Sequence, residues 1–202
     1  MSDQPLGLYG IADTGYGDPV EAAMLLLEAG VKTVQLRAKH WTPDAVSEVA
    51  AIIHQRCLTA NAAFIVNDHV EIAARLGTSG LHLGQDDMPI AEARRQFNGR
   101  IGISTHDLTQ VRRANADGAD YIGFGPVFQS GTRQLKPPLG LDALQAAVEA
   151  SAVPVVAIGG IGLVDVQSVL ETGASAWAII GAIFGSENPR QVLGQLMTFQ
   201  SS

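Results

Sequence analysis

Two short apolar stretches of this chain end in carboxylates. Phe64-Ile65-Val66 runs into Asn67-Asp68, and Leu81-His82-Leu83 passes through Gly84 and Gln85 into Asp86-Asp87. Apolar runs of this kind read as strands, so two neighbouring elements deliver acid from their carboxyl ends. Oxygen ligands that are few and open to water suit Mg2+ shared with a phosphate, whereas Zn2+ would want His or Cys at a fixed spacing that the chain lacks. The competing reading is that Asp68 and Asp87 cap the helices that follow, a common task for Asp worth about 1 kcal/mol.

Other polar side chains gather at similar places. Gln35, Arg37 and Lys39 alternate by two, so they share one face at the end of a strand while Val34 and Leu36 face the other way. Either that strand end is simply solvated, or its two cations converge on an anion. Ile158-Gly159-Gly160-Ile161-Gly162 and Ile179-Ile180-Gly181-Ala182-Ile183 bring glycines to two further strand ends, where backbone amides can approach a phosphate. Gly160-Ile161-Gly162 also matches the start of a dinucleotide fingerprint, but Asp165 stands where the last glycine would be, and that reading is rejected. The stretch Gly125 to Arg133 puts Ser130, Thr132 and Arg133 within four residues, either a solvated loop or a cover for a second anion. Ser104 and His106 end another strand and could equally cap the helix opened by Asp107. His82, between two leucines, reads as a core histidine. Two anion sites and a metal position point to phosphoryl or diphosphate chemistry on two substrates.

These positions need a scaffold that brings many strand ends together. Strand and helix signals alternate along the chain: Gly7 to Ala12 then Val20 to Ala29, Thr33 to Arg37 then a helix behind Thr42-Pro43, Ala63 to Val66 then His69 to Leu76, and Gly80 to Leu83 then Ile90 to Phe97. Ile101 to Ile103 leads to a helix opened by Asp107, with Gln110 placed for a capping box. Tyr121 to Phe124 precedes Leu141 to Ala150, Val153 to Ile158 precedes Val164 to Glu171, and Ala176 to Ile180 precedes Arg190 to Phe199. Eight such pairs with near-continuous apolar strands predict an α/β protein, a (β/α)8 TIM barrel occupying residues 1–202 as a single domain. An open doubly wound sheet is the structural alternative. In a barrel the site lies at the carboxyl ends of the strands, where the residues above cluster.

Composition narrows the partners. The 202 residues are 47% hydrophobic with a formal charge of -7, which argues against nucleic acid or an anionic membrane as a partner and leaves small phosphorylated molecules. The lone Cys57 can form no internal disulfide, the N-terminal residues lack the pattern of a signal peptide, and every apolar run is too short for a membrane span. A cytoplasmic enzyme is expected, with self-assembly into a homo-oligomer left open.

Taken together, Gln35-Leu36-Arg37-Ala38-Lys39, Asn67-Asp68, His82-Leu83-Gly84-Gln85-Asp86-Asp87, Gly102-Ile103-Ser104-Thr105-His106, Gly123-Phe124-Gly125-Pro126-Val127-Phe128 and Ala157-Ile158-Gly159-Gly160-Ile161 are familiar in type and order. The chain resembles the thiamine phosphate synthase family, within the superfamily that also holds the TenI-like proteins. The resemblance implies a (β/α)8 barrel and a transferase that joins hydroxymethylpyrimidine diphosphate to a thiazole phosphate with Mg2+, releasing pyrophosphate by a dissociative substitution. It implies that Asp68 and Asp87 hold the metal, and that Gln35, Arg37, Lys39, Asn67, Ser104 and Arg133 surround the pyrimidine diphosphate, with Arg37, Lys39, Ser104 and Arg133 as the catalytic set. Ser130, Gly131, Thr132, Gly160, Ile180 and Gly181 would then hold the thiazole phosphate. Two departures stand out. The family's Thr-x-Thr-Lys loop reads Ser130-Gly131-Thr132-Arg133, with Lys136 nearby as a substitute cation, and its serine after the eighth strand is Gly181. The rival readings are a thiazole tautomerase of the same superfamily, which does not need the metal-diphosphate site, and a non-catalytic paralogue that binds thiamine intermediates.

Overall fold

The longer helices start where the chain supplies both a cap and a fixed φ. In the computed structural model, which describes residues 7–129 and 137–201, Asp18, Thr42 and Asn188 each accept a backbone N–H in the first turn and each precedes a proline at the first helical position. The cap satisfies an orphan donor and proline gives up no hydrogen bond there, so these boundaries are set locally.

The elements follow in order as β1 (Gly7–Asp13), α1 (Pro19–Glu28), β2 (Thr33–Arg37), α2 (Pro43–Thr59), β3 (Ala63–Asn67), α3 (Val70–Leu76), β4 (Gly80–Leu83), α4 (Ile90–Ala93), β5 (Arg100–Thr105), α5 (Leu108–Ala116), β6 (Tyr121–Phe124), α6 (Leu141–Ala150), β7 (Val155–Ala157), α7 (Val166–Glu171), β8 (Ala176–Ile179), α8 (Gly181–Phe184) and α9 (Pro189–Met197). Each strand pairs in parallel with its neighbours, and β1 also pairs with β8 from Gly7↔Ala176 to Gly10↔Ile179. That last pairing closes the (β/α)8 barrel and removes the open-sheet alternative.

Alternation along the strands divides the apolar side chains into two layers. Val34, Leu36, Phe64, Val66, Leu81, Leu83 and Trp177 face outward and pack with the helices. Tyr9, Ile11, Ile65, Tyr121, Val156, Ala176 and Ala178 form a smaller cluster of their own, the filling of the barrel. The filling depends on glycine at one point: a Cβ on Gly102 would stand 2.0 Å from Cζ of Tyr121, so β5 gives way to the β6 ring.

Most boundaries differ from the sequence expectation by a residue or two, and four differences have a readable form. β1 runs one residue further, to Asp13, because it continues to pair with Arg37 of β2. The fourth helix stops at Ala93 instead of Phe97, continuing only as turns. β7 starts at Val155, where the strand can follow Pro154. A four-residue helix, α8, begins at Gly181 directly after β8, where a loop was expected.

Candidate active site

Arg37 and Lys39 reach the mouth of the barrel already paired. At the ends of β1 and β2, Asp13 accepts a hydrogen bond from Nη1 of Arg37, and its other carboxylate oxygen accepts from the Gly15 amide at 2.8 Å. Lys39 Nζ lies 2.8 Å from Oδ2 of Asp68. The second strand therefore presents two cations at one end, as its alternation predicts, but each meets a carboxylate from a neighbouring strand. Asp13 escaped the sequence reading, although it ends a strand in acid just as Asp68 does.

Asp68 and Asp87 come together. Their side chains are within hydrogen-bond reach of each other, and Oδ2 of Asp87 accepts from the Gly84 amide at 2.6 Å. Neither caps a helix: the residues before α3 and α4 are His69 and Pro89, and neither position has a side-chain cap. Asp68 also holds φ at +67°, a left-handed conformation at a strand end. Strain of this kind persists where its surroundings over-determine it, and here the Asp68 amide is tied to the His82 carbonyl at 2.9 Å. Burial raises the Asp68 pKa above the usual carboxylate range, Lys39 opposes this, and Asp87 adds to it. Asp87 is held low: burial works against its charge but is outweighed by the hydrogen bonds from Asp68 and Gly84 and by Lys39. Two carboxylates forced to share a site favour either a retained proton or a cation between them.

Among the described residues no group of three or more His, Cys, Asp or Glu could hold a metal ion. A closed protein cage is thus absent, yet Mg2+ commonly uses one or two carboxylates and takes its remaining ligands from water and substrate phosphates. The Asp68–Asp87 pair has the oxygen chemistry for that arrangement.

Below the mouth a chain of hydrogen bonds crosses the barrel. Gln35 Nε2 donates to Tyr9 Oη at 2.8 Å, Tyr9 Oη meets Tyr121 Oη at 2.9 Å, Tyr121 Oη meets His82 Nδ1 at 3.1 Å, and His82 Nε2 meets Ser104 Oγ at 2.9 Å. Five strands contribute one residue each. Burial, helped by Lys39 and opposed by Asp87, pushes the His82 pKa down to about 4, so the ring is neutral at pH 7. His82 is buried, as a core histidine would be, but both its nitrogens are engaged and one holds a site residue, which corrects the simpler reading. Gln85 Nε2 donates to the Ser104 carbonyl at 2.7 Å, fixing that residue from a second side. Ser104 and His106 do not cap α5. Asp107 does so alone, through the Gln110 amide at 2.8 Å, while the Gln110 side chain reaches the His106 amide instead of the cap residue. Asn67 lies buried at the end of β3, beside His82 of β4.

The far side of the mouth is built from backbone. Gly159 and Gly160 hold φ at +87° and +70°, and Phe128 donates to the Gly159 carbonyl at 3.0 Å. A Cβ on Gly160 would stand 2.5 Å from the carbonyl oxygens of both Phe128 and Gln129. The crowding that demands glycine here thus comes from the segment after β6, a packing role that the sequence reading did not foresee. The Gly162 amide donates to Asp165 at 2.8 Å, which occupies it within its own turn. Ile180 precedes the first turn of α8, and the amides of Gly181 and Ala182 open that helix, a position that leaves them without intrahelical acceptors. Ser130, Gly131, Thr132, Arg133 and Lys136 lie outside the described residues.

Comparison with known proteins agrees with this geometry. Residues 8–183 match the family model described as thiamine monophosphate synthase. The chain is 40% identical to a thiamine-phosphate synthase from Chlorobium phaeobacteroides, covering 89% of this chain and 88% of that protein. It is 40% identical to one from Synechococcus sp. over 92% of this chain, but spans only 53% of that longer relative. Among solved structures, a thiamine phosphate pyrophosphorylase from Pyrococcus furiosus superposes with a TM-score of 0.91 at 34% identity, covering 98% of this chain and 97% of that one.

Proposed function

The chain belongs to the thiamine monophosphate synthase family, and from that premise we propose that it is a thiamine-phosphate synthase, a transferase that joins hydroxymethylpyrimidine diphosphate to a thiazole phosphate. The observation that carries the reading is the convergence of Arg37, Lys39, Asp68 and Asp87 at three adjoining strand ends, beside a held Ser104. A tautomerase acting on the thiazole alone has no use for a paired carboxylate site of that kind.

The reaction breaks the bond between the pyrimidine methylene carbon and the diphosphate oxygen, and the electron pair leaves with that oxygen. The amino group of the pyrimidine ring feeds electrons into the resulting methylene cation until the thiazole nitrogen supplies its lone pair to the carbon. No proton needs to be removed at either step, so the enzyme need not supply a general base. Arg37, Lys39 and Arg133 neutralise the charge that grows on the departing diphosphate, and Ser104 donates a hydrogen bond to it. Mg2+, when bound at Asp68 and Asp87, supplies further positive charge at the leaving oxygens. Gln35 and Asn67 bind and orient the pyrimidine diphosphate. Ser130, Gly131 and Thr132, with the backbone of Gly160, Ile180 and Gly181, hold the thiazole phosphate so that its nitrogen lies in line.

The test is formation of thiamine phosphate by the purified protein from both substrates, with Mg2+ and again with EDTA. Metal-dependent product is expected. Absence of product while the thiazole phosphate still binds would overturn the synthase reading in favour of a binding paralogue or a tautomerase.

A further inference from the structure

With the Gln35 amide nitrogen turned to Tyr9, as the structure places it, the hydrogen bonds beneath the mouth run in one direction. The amide nitrogen of Gln35 can only donate, and it donates to Tyr9 Oη from a side chain that is 3% exposed. Tyr9 must then place its own hydrogen on Tyr121 Oη, 2.9 Å away. Tyr121 Oη, having accepted, has its hydrogen left for His82 Nδ1 at 3.1 Å. Nδ1 is therefore bare, and the ring proton sits on Nε2, which donates to Ser104 Oγ at 2.9 Å. The reverse polarity, or a doubly protonated ring, would make Tyr121 accept from Nδ1 and give its hydrogen to Tyr9. The Tyr9 hydrogen would then have no acceptor inside a buried cluster, which costs the full desolvation of that group.

We infer that Tyr9, Tyr121 and His82 are positioning residues that hold Ser104 as an obligatory outward hydrogen-bond donor. Ser104 Oγ is filled on its inner side by the Nε2 proton, and among the described residues no acceptor takes its own hydrogen, which is left to turn to the mouth. Gln85 fixes the Ser104 carbonyl at 2.7 Å, leaving the hydroxyl rotor as the remaining freedom, and His82 removes it. A hydroxyl held this way meets a phosphate oxygen without reorganising and meets a donor group badly. The catalytic consequence rests on the proposed synthase activity; the polarity of the chain does not.

Two measurements test it. In the resting protein, 15N NMR of the imidazole at neutral pH is expected to show His82 with Nε2 protonated and Nδ1 bare; an Nδ1-protonated or doubly protonated ring would overturn the inference whatever the enzyme does. For the reaction, Tyr121→Phe, which keeps the ring against Gly102 and loses only the hydroxyl, is expected to lower kcat roughly ten- to a hundredfold, with KM for the thiazole phosphate unchanged. Combined with Ser104→Ala it is expected to add nothing to the serine variant alone, because both remove the same donor. Multiplying defects would show that Tyr121 acts elsewhere and would refute the relay. A wild-type protein that makes no thiamine phosphate would overturn the synthase reading instead, and the NMR result would still decide the relay.

Discussion

Gly160→Ala separates two explanations of one glycine, closeness to a ligand and closeness to the chain's own backbone. The residue sits at φ +70°, and Gly77 at φ +64° ends α3 with nothing within 4 Å of an added Cβ. Alanine at Gly77 thus measures the left-handed conformation alone, about 1 kcal/mol after the gain from a less flexible unfolded chain is set against it. At Gly160 the new methyl group would stand 2.5 Å from two carbonyl oxygens, of Phe128 and Gln129. Those carbonyls must retreat by roughly 0.8 Å to reach ordinary contact, an overpacking that costs about 1–3 kcal/mol. The Phe128 amide bond to Gly159 is stretched with them, at about 1 kcal/mol more.

The Gly160 variant is therefore expected to lose about 3–5 kcal/mol against about 1 for the Gly77 control, or about 6–20 °C in Tm against 2–4 °C for a chain of this size. Thermal unfolding of the two proteins side by side is the assay. Because the displaced segment leads directly to Ser130–Arg133, the same variant should raise KM for the substrates that this loop is proposed to hold. Equal losses of stability in the two variants would show that Phe128 and Gln129 yield at no cost, and the packing account of Gly160 would fall.

Asp13→Ala should leave Arg37 without its partner at the strand end, and kcat/KM for the diphosphate substrate is expected to fall about tenfold or more as the guanidinium loses its fixed direction; a variant with wild-type kinetics would show that Arg37 needs no carboxylate to aim it. Cys57 is fully buried and burial pushes its thiol up to about 12 from 9.0. Since the folded state keeps this proton where the unfolded state has released it, the contribution to stability is complete below pH 9 and is lost as pH rises toward 12. At pH 8 the thiol should react with a disulfide reagent only after denaturant is added, and rapid reaction of the native protein would contradict the burial.

The parts of this molecule written in local patterns were legible, and the parts written in long-range contacts were not. Apolar runs, capping residues and prolines at first helical positions identify the barrel's elements because each signal lies within a few residues of what it determines. Asp68 and Asp87 could be brought together on paper, since consecutive strands of a parallel barrel are neighbours. Asp13 follows the same rule but lies one residue beyond the apolar run that marks its strand in the sequence. Tyr9 and Tyr121 are a different case. They lie 112 residues apart, and nothing in either neighbourhood distinguishes a tyrosine that fills a core from one that orders a hydrogen-bond chain. Gly160 is a third case: its residue type suggests closeness to a ligand, and the structure adds a second reason for glycine, the crowded backbone of Phe128 and Gln129.

Charge at the mouth carries one more consequence. Among the described residues, the ends of β1 to β4 gather Asp13, Asp68 and Asp87 around Arg37 and Lys39, three carboxylates against two cations. A diphosphate entering alone could take the cations only by stripping them from their carboxylates, leaving the buried Asp13 and the partly buried Asp68 without a counter-charge. Little is gained in such an exchange. Entry together with a divalent cation reverses the balance, because the cation takes up Asp68 and Asp87 while Lys39 turns to the phosphate. Binding of pyrophosphate and of Mg2+ should therefore be coupled, by about 5- to 150-fold, and the coupling must be the same whichever is titrated first. Calorimetric titration of pyrophosphate with and without Mg2+ measures it, and Asp87→Ala supplies the reference for complex formation in solution. Coupling as strong in that variant as in the wild-type protein would show that the carboxylate pair plays no part in it.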